Sequence, residues 1–136
     1  MGRILGLDFG VKRCGLASTD ILQIIVNPIQ TVETKDIFIF FKKYLEEEDV
    51  DKLVIGLPTH KDGSDTYLKK NIDIFVSKIE KDYPFLEIDF EDESMTSVLA
   101  KEIILKSGIR KSKRRDKSLV DKVSAVLILQ RYLGHF

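Results

Sequence analysis

Cysteine is nearly missing from this chain. Cys14 stands alone among 136 residues, so no internal disulfide can form and no four-cysteine zinc site is possible. A reducing compartment is the natural setting. Long apolar runs are missing too. Stretches such as Ile37 to Phe41 are far too short to cross a bilayer. The start of the chain lacks the basic, apolar and small-residue layout of a secretory signal, and a cytoplasmic location with no membrane partner is expected. No linker, low-complexity tract or internal repeat interrupts the chain. Net charge is absent as well: 22 basic residues balance 22 acidic ones. Taken alone, that balance argues weakly against nucleic-acid binding.

What is present reads as an ordinary globular chain. Hydrophobic residues make up 43% and charged residues 32%, so disorder is not expected. One domain spanning 1–136 suits this length, and a chain this long can bury a core without staples. The basic residues are unevenly spread. Arg110, Lys111, Lys113, Arg114, Arg115 and Lys117 crowd into eight positions opposed only by Asp116, giving a local charge of +5 against −5 elsewhere. Such a run reads either as a solvated loop or as a phosphate-gripping one.

The periodicities alternate between strand and helix. Arg3 to Phe9 reads as a buried strand, Arg13 to Thr19 as a second, and Gln23 to Val32 as a third, with a turn near Asp20. Pro28 marks an edge or a bulge in the third strand. Asp36 to about Glu47 has helical spacing in Ile37, Phe41, Tyr44 and Leu45. Lys52 to Leu57 is a short apolar run fit for a central parallel strand. The next helix, capped by Ser64 or Asp65, presents Leu68, Ile72, Phe75, Val76 and Ile79, and Asp82-Tyr83-Pro84 closes it. Leu86 to Glu91 alternates, with Leu86, Ile88 and Phe90 on one face and the acids on the other. Thr96 to Lys106 is helical, and Gly108 sits at its C-cap position. The last helix runs from near Ser118 to about Leu133. The order β-β-β-α-β-α-β-α-α predicts an α/β fold: a mixed five-stranded sheet with helices on both faces.

Three carboxylates stand where chemistry is expected. Asp8 ends an apolar strand, where a buried carboxylate is costly unless paired or metal-bound. Gly6, Gly10 and Gly15 around it would admit a neighbouring backbone or a phosphate. The plain alternative is an aspartate that starts a turn. Asp92-Glu93 ends the alternating strand and reads equally as a helix cap, a solvated turn or a ligand pair. Alternation puts Asp92 with the apolar face and Glu93 with the polar one. Asp121 falls three residues after Ser118, as in a capping box, where the helix dipole alone favours an acid. Gly56-Leu57-Pro58 followed by Asp62-Gly63 is either a simple turn or a backbone cradle for phosphate. His60 reads as a solvated loop residue, and Cys14 as core. Together, three acids at two strand ends and a late helix suit phosphodiester hydrolysis. Two Mg²⁺ ions held by carboxylates can activate water and stabilise the leaving oxygen.

The chain resembles the YqgF/RuvX family, Holliday-junction-resolvase-like proteins assigned to maturation of precursor 16S rRNA. The segment Leu5-Gly6-Leu7-Asp8-Phe9-Gly10-Val11-Lys12-Arg13-Cys14-Gly15 is similar to the family's opening strand pair. Val54-Ile55-Gly56-Leu57-Pro58 with Asp62-Gly63 matches its G-L-P…D-G loop. Asp92-Glu93-Ser94-Met95-Thr96-Ser97 matches its D-E-R-x-[ST]-[ST] element, and Lys117 through Leu129 its closing helix. The resemblance covers essentially the whole chain. It implies an RNase H-like fold and a metal-dependent nuclease using Mg²⁺ or Mn²⁺. It implies Asp8, Glu93 and Asp121 as catalytic acids and metal ligands, supported by Gly10, Asp92 and Thr96. It further implies that Lys12, Arg13 and the basic loop face nucleic acid, either precursor rRNA or branched DNA. Ser94 departs from the family's arginine and cannot replace a guanidinium's paired bonds to phosphate. Ser124 stands three residues after Asp121, where related resolvases can carry a second acid, so a three-acid site is expected. The rival readings are a Holliday junction resolvase, a non-catalytic nucleic-acid-binding or ribosome-associated module, and an ATP-binding actin-like fragment. That last fold needs two such domains. Both monomer and homodimer fit the sequence.

Overall fold

The computed structural model describes residues 2–57, 66–92, 96–106 and 117–135. The side chains of Thr66, Tyr67, Thr96, Ser97, Lys117 and Ser118 fall outside that description. The strands are β1 (Arg3–Phe9), β2 (Arg13–Thr19), β3 (Val26–Glu33), β4 (Val50–Leu57) and β5 (Glu87–Asp92). The helices are α1 (Ile37–Glu47), α2 (Thr66–Asp82), α3 (Thr96–Lys106) and α4 (Lys117–Tyr132), with a 3₁₀ turn at Thr34–Asp36 before α1. The sheet order is β3-β2-β1-β4-β5. β1 pairs antiparallel with β2 and parallel with β4, β2 antiparallel with β3, and β4 parallel with β5. The mixed five-stranded sheet expected from the periodicities is therefore present.

Alternation along the strands divides the core in two. Leu5, Leu7, Phe9, Leu16, Leu53 and Ile55 face α1 and α2, meeting Ile37, Phe41, Ile72, Phe75 and Ile79. Phe75 holds this layer together, its ring centroid 5.3 Å from Phe9 and 5.6 Å from Phe41. On the other side Ile4, Ala17 and Val54 meet Ala125, Ile128 and Leu129 of α4. Ala100 and Ile104 of α3 are buried, and α3 packs on α4.

The third strand starts later than the sequence suggests, at Val26 and not Gln23. The reason lies in Asp20, whose carboxylate accepts the backbone N–H groups of Ile24 at 2.7 Å and Ile25 at 2.8 Å. Gln23 takes a positive φ of 61° and donates through its side chain to the Gly2 carbonyl at 2.7 Å. This turn keeps 21–25 out of the ladder. Pro28 sits on the edge strand and beside a bulge, where the register steps from Leu16↔Gln30 to Ala17↔Pro28. A proline there forfeits no interior ladder bond. At the opposite edge Phe90 is exposed, although alternation puts it with the core: β5 has no neighbour beyond it among the described residues.

The backbone N–H groups of Ile25 and Ile24 lower the Asp20 carboxyl below its ordinary value. The unfolded chain therefore takes up the proton first as pH falls. The stabilising contribution is full above the ordinary carboxylate range and is lost as pH falls through the lowered folded value. Hydrogen exchange at the Ile24 and Ile25 amides tests this: Asp20→Ala accelerates it at neutral pH, and acid erases the difference from wild type.

Candidate functional site

Asp8 lies at the C-terminal end of β1 and pairs with Gly15 of β2. Gly6 and Asp8 share the sheet face that meets α4, as do Gly15 and Ala17. At Gly15 a Cβ would collide with the Asp121 carbonyl and lie 3.1 Å from the Asp121 Cβ. At Gly6 it would meet Leu129 Cγ at 2.5 Å. Only hydrogen at these two positions lets α4 descend onto β1 and β2. The result sets the Asp121 backbone directly over the residue that pairs with Asp8, so acids from opposite ends of the chain stand at neighbouring positions on one face of the sheet.

Helix α4 begins at Lys117, so Asp121 lies beyond the first turn and not at the capping-box position that the sequence suggests. Its carboxylate is engaged elsewhere: Arg13 Nε donates to Asp121 Oδ2 at 2.9 Å. The turn carrying Lys12 and Arg13 is pinned from the side by Thr34, whose hydroxyl donates to the Gly10 carbonyl at 2.7 Å. The Thr34 backbone N–H reaches the Lys12 carbonyl at 2.9 Å. Cys14 Sγ lies 3.5 Å from Thr34 Oγ1. Burial, above all, pushes the Cys14 thiol up; Asp8 and Asp121 both add to the rise, so one sulfur feels both carboxylates. Cys14 is fully buried, as expected of a core residue.

The far end of α4 is anchored by a polar chain. Lys52 Nζ donates to Tyr132 Oη at 2.7 Å, and that hydroxyl donates to Asp89 Oδ2 at 2.7 Å. Arg131 lies 3.6 Å from Glu91. Glu87, Asp89 and Glu91, the face of β5 that reads as polar, are thus on the side of Asp8. Asp92 pairs with Leu57, whose side chain packs toward α1 and α2, so Asp92 falls on the opposite side. Glu93, Ser94, Met95, residues 58–65 with His60, Gly108 and the basic residues Arg110, Lys111, Lys113, Arg114 and Arg115 lie outside the described residues, as do the side chains of Thr96 and Lys117. Among the described residues no group of three His, Cys, Asp or Glu side chains is gathered closely enough to hold a metal.

Of the residues singled out in the sequence, Asp8, Gly10, Gly15 and Asp121 lie on neighbouring parts of the fold, but the role of Thr34 and the pairing of Arg13 with Asp121 were not anticipated. Thr34 leaves no motif; only its position between an edge strand and a helix hints at a turn role. A second feature concerns Ser124, which the sequence marks only as standing where a second acid could lie. Its side chain is fully buried three residues after Asp121, and its hydroxyl finds no partner among the described residues. An orphaned buried hydroxyl is costly, and beside an acidic pair it is a natural donor to a bound ligand or water.

A family model described as Holliday junction resolvase, RuvX, matches residues 2–135. The chain belongs to the RuvX family. A Porphyromonas gingivalis relative is 45% identical over 135 residues, spanning 99% of this chain and 98% of its own. A Phocaeicola vulgatus relative is 43% identical over 133 residues, spanning 98% and 96%. Both are provisionally named pre-16S rRNA nucleases. Among solved structures, Thermus thermophilus RuvC in complex with a Holliday junction substrate superposes with a TM-score of 0.57 at 14% identity, covering 98% of this chain and 97% of that one. The fold is RNase H-like, and the RuvX chain is a nuclease.

Gly15→Ala tests the seating of α4. The added methyl must push the Asp121 backbone away, and such overpacking costs about 1–3 kcal/mol. A lowered urea midpoint is expected, and an unchanged one would show that α4 does not rest on this glycine.

Proposed function

We propose that this RuvX protein is a metal-dependent endonuclease that processes the 5′ end of precursor 16S rRNA in the cytoplasm, as a single domain over 1–136. The observation that carries this is the convergence of Asp8 and Asp121 across Gly15 at the C-terminal ends of the parallel strands, where ligands of open α/β sheets bind. The relatives' names supply the substrate. Glu93 completes the set: β5 ends one residue before it, and Glu91 shares the side of Asp8.

The donor chemistry fits Mg²⁺ or Mn²⁺. Carboxylate oxygens are the preferred ligands of these hard cations, and the buried Ser124 hydroxyl supplies a donor nearby. Asp8, Glu93 and Asp121 would hold the metal, which when bound activates water and stabilises the leaving oxygen. The chain's own part is to hold acids in place on rigid elements, with α4 fixed near Asp121 by Gly15 and at its far end by Tyr132. Lys12 and the basic residues from Arg110 to Lys117 would hold the phosphate backbone, and Gly10 and Thr96 would support the site, whereas Asp92, on the opposite side of the sheet from Asp8, is left out of it.

Junction resolution is the second reading, favoured by the family's description and by the RuvC structure with its bound junction. Cutting two strands of a symmetric junction calls for a homodimer, whereas rRNA trimming is open to a monomer. Labelled precursor 16S rRNA and a four-way DNA junction, offered with Mg²⁺, Mn²⁺ or chelator, separate the two. Metal-dependent cleavage of the rRNA is expected, and Asp8→Asn and Asp121→Asn abolish it while binding persists. Cleavage that survives in Asp8→Asn removes the assignment of the site, and preferential cutting of the junction replaces rRNA as the substrate. Neutralising Arg114 and Arg115 together should flatten the slope of log affinity against log salt by about 1.4–1.8. An unchanged slope would take the loop out of the interface.

A further inference from the structure

Arg13 stands at the boundary between the carboxylate pair and a basic groove. Its Nε is 2.9 Å from Asp121 Oδ2, and the two side chains are 37% and 22% exposed, so the pair sits at the rim of the solvent. Beside it an open groove of about 480 Å³ is lined by Val11, Lys12, Arg13, Glu33 and Lys35. The backbone beneath is held by Thr34 on both Gly10 and Lys12, which leaves the Arg13 side chain as the part that can move. A guanidinium bonded to Asp121 neutralises that carboxylate, and its charge repels any second cation that approaches the same oxygens. An ion pair this exposed is broken at small cost. Once free, the same planar group is suited to paired hydrogen bonds with a phosphate.

We propose that Arg13 is the resident cation of the metal-free site: it holds Asp121 until a divalent metal takes the carboxylate, and the released guanidinium then turns to a nucleic-acid phosphate in the groove beside Lys12. This rests on Asp121 being a metal ligand. Arg13 is thus a positioning residue whose partner depends on metal. It couples metal binding to nucleic-acid binding, and by linkage each favours the other.

The discriminating experiment titrates Mn²⁺ into metal-free protein at low ionic strength by calorimetry. Wild type is compared with Arg13→Gln, Arg13→Lys and Asp121→Asn, and a melting curve is recorded for each. Losing the competing charge should tighten Mn²⁺ binding about fivefold in Arg13→Gln. Arg13→Lys keeps the charge and stays near wild type, while Asp121→Asn loses most of the affinity. Arg13→Met, which retains the apolar stem, gives the same reading if the glutamine variant does not fold. Weaker or equal binding in Arg13→Gln, with Asp121→Asn still impaired, overturns the competition and makes Arg13 a plain support for the carboxylate. Full affinity in Asp121→Asn overturns the metal assignment as well.

Discussion

Everything about this site depends on how closely α4 can lie on the sheet. Two glycines, one on β1 and one on β2, leave room for the helix backbone to touch strand backbone, and a single methyl at either would lift it. The approach is reinforced along the helix. Ala125, Ile128 and Leu129 bury against Ile4, Ala17 and Val54 in the middle, and Tyr132 ties the far end to Lys52 and Asp89. A helix held at three levels has little freedom to slide, and so the position of Asp121 relative to Asp8 is set by packing that lies mostly outside the site.

The electrostatics follow from that geometry. Two acids at neighbouring positions on one face of a sheet create a negative field that favours a cation beside them. In the described structure Arg13 is such a cation, and the thiol of Cys14, buried beneath, registers the charge of both acids. The same field makes the site attractive to a hard cation. Ser124 is buried with no partner for its hydroxyl among the described residues, which leaves that group available to a bound ligand. The basic turn at Lys12 and Arg13 borders the acids because Thr34 ties the first hairpin to the start of α1.

Much of the fold could be read from the chain directly. The first two strands and α3 have the expected bounds, and the faces of α1 and α2 bury the residues their spacing selects. Errors arose where a side chain overrode a pattern: Asp20 captured two amides and delayed β3, and Phe90 lost its burial because β5 is at an edge. The site was legible in part. Asp8 was marked by an acid at the end of an apolar strand and Gly15 by the opening motif, but Asp121 looked like a helix cap. Its true partner, Arg13, is 108 positions away. No local periodicity encodes a contact of that range.

Element order, a core on both sides of the sheet, the burial of the single cysteine and, through the motifs, the family all follow from the residues in chain order. Those depend on residue type and near-neighbour spacing, which act within a few turns of chain. Only the folded chain settled that Gly15 lies beneath Asp121, that Arg13 neutralises it, and that Ser124 is buried with no partner among the described residues. Each is a matter of where a late helix lands on early strands, and that landing is settled by steric contact across the whole sheet.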